Sequence, residues 1–222
     1  MGGEAPDPFA ARLRSFGPAG IVSMLVVLAG QVLPPLGALL ALAWVAASET
    51  PWREIGYIRP ASWWIAIAGG LAGGAAFKIV MKAIVMPLFG APAVNPAYHF
   101  LEANTAALPG MLLTMIFVAG FGEETLFRGF LFERLGKLMG RGAGARIAIV
   151  TLTSAFFAGL HFREQGLAGV EQAAITGLVF GTMYSVTGSL WPVVVAHAAF
   201  DLTAVAIIYL GLEPAVAHLV FG

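Results

Sequence analysis

Residues 111–132 read MLLTMIFVAGFGEETLFRGFLF, an apolar stretch that holds three charges: Glu123, Glu124 and Arg128. About 20 predominantly apolar residues make a membrane-crossing helix. An ionised side chain in hydrocarbon costs at least a few kcal/mol. A chain that keeps three such charges there is most simply read as using them, and the alternative is a packing network of ion pairs.

The rest of the chain has the same character. Of its 222 residues, 59% are hydrophobic and 11% charged, against about 25% charged in a soluble domain. The composition identifies an integral membrane protein, one domain of several spanning helices. Net charge is zero, which argues against nucleic acid or acidic substrates as partners. With no cysteine, disulfides and thiol catalysis are excluded.

Residues 1–17 read as a mobile polar, Pro/Gly-rich arm, and 18–222 as a single membrane domain. Six spans are predicted: 21–47, kinked at Pro34-Pro35; 63–88; 108–135; 147–162; 171–187; and 191–210. In the second, Gly69, Gly70, Gly73 and Gly74 form small-xxx-small pairs suited to close helix packing. Its Lys78 and Lys82 read as anchors that snorkel to the membrane surface. The expected architecture is an all-α transmembrane bundle of about six to eight helices around a membrane-embedded polar cavity. Loops 48–60 and 133–146 group Arg53, Arg59, Arg134, Lys137, Arg141 and Arg146 on one side, with Arg12, Arg14 and Arg163 on the other. The positive-inside rule then makes the first side cytoplasmic. The N-terminus lies outside if 21–47 crosses once, and inside if that segment is a re-entrant hairpin.

Polar groups recur on the later spans. Glu124 and Arg128 share a helix face and can neutralise each other, whereas Glu123 points about 100° away and is free for chemistry. His161 closes the fourth span, on the face of Phe157. His197 and Asp201 share a face of the sixth, where a carboxylate can orient an imidazole. His99 and His218 read as surface residues. Taken singly, His161 and the His197–Asp201 pair fit ordinary helix-stabilising contacts. Together they offer a glutamate and further polar ligands, able to activate water by general base catalysis or through a divalent metal.

The motifs Glu123-Glu124-Thr-Leu-Phe-Arg128 (EExxxR), Phe157-Ala-Gly-Leu-His161 (FxxxH) and His197-Ala-Ala-Phe-Asp201 (HxxxD) occur in this order. Over about residues 108–205, the expected catalytic core, the chain resembles the CAAX protease and bacteriocin-processing (CPBP) family of intramembrane endopeptidases. The resemblance implies that Glu123 is the general base and that His161 holds the water or a metal. It implies that His197 and Asp201 stabilise the oxyanion or complete a metal site, with Glu124 and Arg128 structural or positioning Glu123. Members are described both as metalloproteases, with a zinc-like ion on residues such as Glu123, His161 and His197, and as metal-independent glutamate proteases. Prenyl-processing members typically carry Asn at the place of Asp201, and an ionised Asp accepts hydrogen bonds without donating one. The implied partner is a membrane-associated peptide or protein, lipidated or not, in the bilayer. The short sequence, Asp201 and the many glycines fit a prokaryotic member better than a eukaryotic one, so the expected location is a prokaryotic plasma membrane.

Two other classes compete. Ionisable groups in spanning helices also mark transporters and proton relays, though no inverted repeat is visible. An inactive scaffold of the same family would tolerate loss of Glu123, His161 and His197. No HExxH or Gly-x-Ser-x-Gly occurs, and a membrane aspartyl dyad would need a second aspartate beside Asp201.

Overall fold

The computed structural model describes residues 7–33, 35–140 and 142–221. Pro34, expected to kink the first span, and Arg141, counted among the basic loop charges, lie outside them. Among the described residues the protein is helical, with no strand. Its helices are α1 (Pro8–Arg14), α2 (Pro18–Ala29), α3 (Leu36–Ala47), α4 (Trp63–Leu88), α5 (Leu108–Met139), α6 (Ala143–Thr187), α7 (Leu190–Tyr209) and α8 (Glu213–Ala217). The all-α bundle expected from composition is therefore present.

Helices α4, α5, α6 and α7 are long and apolar enough to cross a membrane. Their outer faces are apolar too: Trp64 and Ile65 are 83% and 76% exposed, as side chains facing lipid would be. At 45 residues, α6 would extend about 68 Å if straight. It does not: Gly166 breaks it at φ 62°, ψ −155°, a region essentially restricted to glycine. The two arms fold back on each other. A Cβ at Gly177 would lie 2.9 Å from the Cβ of Ser154, and one at Gly181 would lie 3.3 Å from Val150. The arms 143–165 and 167–187 thus run antiparallel, which reproduces the expected fourth and fifth spans.

The first span differs from its expectation. Trp44 donates its Nε1–H to Ser23 Oγ at 3.0 Å, and Gly30 packs on the backbone of Gly37. Helices α2 and α3 therefore form an antiparallel hairpin rather than one kinked rod. Each is 12 residues long, about 18 Å, against a hydrocarbon core of about 30 Å. The pair has the dimensions of a re-entrant hairpin. The N-terminal arm is anchored rather than loose over Pro8–Phe16. Asp7 caps α1, and Ala10 and Leu13 are buried. Arg134 donates to the carbonyl of Arg14 at 2.9 Å and stacks on Phe16 and Trp44. Arg134 itself, expected in a basic loop, is buried and paired with Glu133.

These contacts place the arm beside the end of α5, on the side of loops 48–60 and 133–146. Arg12 and Arg14 thereby join the basic side, leaving Arg163 at the opposite end. The excess of basic residues on that side is larger than the single-rod reading allowed, because the hairpin returns the chain to the side from which it entered.

Helix α5 is wound in wide, π-type turns over Thr114–Glu123 and Thr125–Leu131, where a regular α-helix was expected. Such turns collect at functional sites. Gly120 lets α5 approach α7: a Cβ there would lie 2.8 Å from that of Ala198.

Candidate active site

The polar groups meet on the inner faces of α5, α6 and α7. Glu124 and Arg128 are fully buried, at 0% and 1% exposure, and pair at 2.8 Å, as their spacing predicts. The second partner of Glu124 was not anticipated. The same Oε1 accepts a hydrogen bond of 2.6 Å from the Nδ1–H of His197. Arg128 also donates to the carbonyl of Gly177 at 3.2 Å and lies 5.0 Å from the centre of the Phe157 ring. One carboxylate thus joins α5 to α7, and its arginine joins α5 to the second arm of α6. A buried charge left without its partner costs about 3–5 kcal/mol, so these contacts hold each other in place.

His197 is contacted on both ring nitrogens. Its Nε2 lies 3.3 Å from Asp201 Oδ2 and 3.9 Å from Glu123 Oε2. The i, i+4 pairing of His197 with Asp201 is present as expected. The separation of the two glutamates is less complete than expected. Glu123 is free of Arg128, but it faces the imidazole that Glu124 holds from the other side. Unlike Glu124, Glu123 is only partly buried and lines a cavity of about 350 Å³.

His161, half-buried, also lines that cavity. A carbonyl can only accept, so the 2.8 Å contact of His161 Nδ1 with Phe157 O is an Nδ1–H donation. In the neutral ring, Nε2 is left with its lone pair. His161 makes no ion pair with the glutamates or Asp201. It is tied to His197 through Phe157, whose ring centre lies 4.6 Å from that of His161 and 6.1 Å from that of His197. All six expected site residues therefore belong to one region. Among the described residues, no group of three or more His, Asp or Glu is arranged to hold a metal ion. The set expected as ligands (Glu123, His161 and His197) does not close around one point.

His99 and His218 are at the surface, as expected. The reading of Lys78 and Lys82 is corrected, because neither snorkels to the surface. Lys78 is 7% exposed and donates to Gln172 Oε1 at 2.9 Å. Lys82 pairs with Glu213 at 2.8 Å. Both line the cavity. The buried face of α4 runs Ala66, Gly70, Gly74, Lys78, a four-residue stripe packed on α7. A Cβ at Gly74 would lie 2.1 Å from the carbonyl oxygen of Ala196. Lys78 lies one turn beyond the small-residue stripe, but that spacing alone does not say that a lysine there turns inward. Tyr98, in the 90–107 loop, is a cavity residue without any sequence signal. Its phenol is pushed up to about 12, first by burial and then by nearby carboxylates, so it stays protonated. Its oxygen accepts from Gln165 at 3.4 Å.

No curated protein and no solved structure matches the chain. Residues 105–203, a little under half of the chain and the part that carries all three motifs, match the family described as type II CAAX prenyl endopeptidase Rce1-like, and it is to these membrane proteases that the site-bearing segment is similar.

Proposed function

We propose that the protein is an intramembrane endopeptidase that hydrolyses peptide bonds of a membrane-associated protein or peptide with water activated by Glu123. The family match implies a protease. The observation that supports this assignment of roles is the contrast between the two adjacent glutamates. Glu124 is sealed between Arg128 and His197, while Glu123 opens on the cavity.

In this reading a water in the cavity donates one hydrogen bond to Glu123 and another to the lone pair of His161 Nε2. Glu123 takes a proton as the water oxygen attacks the scissile carbonyl. The resulting oxyanion is stabilised by His197 as an imidazolium, whose Nδ1–H stays on Glu124 and whose Nε2–H, oriented by Asp201, is shared with the oxyanion. Collapse breaks the C–N bond, the amine leaves with the proton from Glu123, and the carboxylate is regenerated. Asp201 serves as an acceptor that orients His197 rather than as an oxyanion donor. No step is routed through a metal, because the residues present do not converge as ligands.

The test is purified protein against a fluorogenic isoprenylated peptide and bilayer-inserted peptides, with products read by mass spectrometry. Glu123→Gln should lower the rate by about 10²–10⁴-fold, the usual worth of a general base, and a chelator should leave the wild-type rate unchanged. Wild-type cleavage by Glu123→Gln would remove Glu123 as the base. Loss of activity to the chelator, restored by added zinc, would overturn the metal-free route.

A further inference from the structure

Lys78 lies in the same cavity as Glu123 and His161, yet the proposed chemistry has no use for it. An ammonium carries three donors. In the described structure Nζ makes one hydrogen bond, to the neutral carbonyl oxygen of Gln172, and faces the Phe200 ring at 4.7 Å. The carboxylates of the cavity make their close contacts elsewhere, and only the fields of Asp201 and Glu213 reach Lys78. Glu213 takes Lys82 and the backbone N–H of Asn95, and Asp201 faces His197. A buried charge is expensive without an opposite charge. The position continues a stripe of Ala and Gly against α7, where an apolar residue would meet the packing need alone.

We propose that Lys78 binds a carboxylate of the peptide that enters the cavity. The inference rests on the protease reading for the nature of the ligand, a peptide. Peptide carboxylates come from two sources, the chain end and an acidic side chain. A cavity lined by both polar and apolar side chains, with one incompletely paired ammonium, accepts either by the same charge-assisted hydrogen bonds.

The experiment uses the full chain in detergent and three fluorescein-labelled apolar hexapeptides: one with a free C-terminal carboxylate, one with a C-terminal amide, and the amide with one internal Glu. Binding is read by anisotropy and cleavage by mass spectrometry in the same samples. Wild type should bind one or both carboxylate peptides at least tenfold more tightly than the plain amide, and which one identifies the source. Lys78→Met should remove the preference while binding the amide as before, and Lys78→Arg should keep it. If Lys78→Met does not fold, Gln172→Glu, which sets an anion against the ammonium, should abolish the preference instead. Equal or absent binding of the three peptides by wild type, or a preference that survives in Lys78→Met, overturns the proposal. Carboxylate preference without cleavage counts against the protease reading alone, and cleavage without preference counts against the Lys78 site alone.

Discussion

Glu123 and Glu124 are chemically identical neighbours whose surroundings divide them. Glu124 is enclosed, with Arg128 at 2.8 Å and His197 at 2.6 Å on one oxygen. Glu124→Gln would leave the buried guanidinium uncompensated, and it should destabilise the protein by about 3–5 kcal/mol, read as a lowered melting temperature in detergent. Glu123→Gln, at the cavity edge, should melt within about 0.5 kcal/mol of wild type while losing activity. Equal melting of the two variants would remove the structural role from Glu124. The Glu124–Arg128 pairing was legible in the sequence because both residues lie on one helix. The Glu124–His197 contact was not, because it joins residues 73 positions apart, and nothing local in either segment encodes the approach.

At the scale of elements, two glycines make sharp demands. Gly74 faces α7, whereas a Cβ at Gly73 would meet nothing within 4 Å. Gly74→Val should separate α4 from α7 and reduce both stability and cleavage, with overpacking costing about 1–3 kcal/mol. Gly73→Val, toward lipid, should change little. Melting curves of the pair decide whether the α4–α7 approach is as close as described. Gly166 holds the turn between the arms of α6, and Gly166→Ala should cost about 1–3 kcal/mol through backbone strain. The small-residue pattern of α4 revealed a packing face in the sequence. It did not reveal that Lys78 extends that face inward, since hydrophobic periodicity counts a lysine near a helix end as polar and outward.

For the molecule as a whole, the arrangement predicts sidedness. Arg12 and Gly144 are exposed on the basic side, and Glu102 is exposed at the opposite end. The chain lacks cysteine, so single cysteines report cleanly. In intact cells an impermeant maleimide should label Glu102→Cys, but should label Arg12→Cys and Gly144→Cys only after permeabilisation. Labelling of Arg12→Cys together with Glu102→Cys would restore the single kinked span and reject the hairpin.

The sequence by itself determined the solvent, the class of fold and the three polar motifs. Each is written locally, in long apolar runs and in charges spaced along single helices. Tertiary structure alone decided that residues 21–47 turn back instead of crossing, that the N-terminal arm is pinned by Arg134, and that Lys78 points inward. It also decided which glutamate is sealed and which is open. These outcomes depend on which helix faces which, and that is set by close approach at Gly30, Gly74, Gly120 and Gly177 and by polar contacts between distant segments.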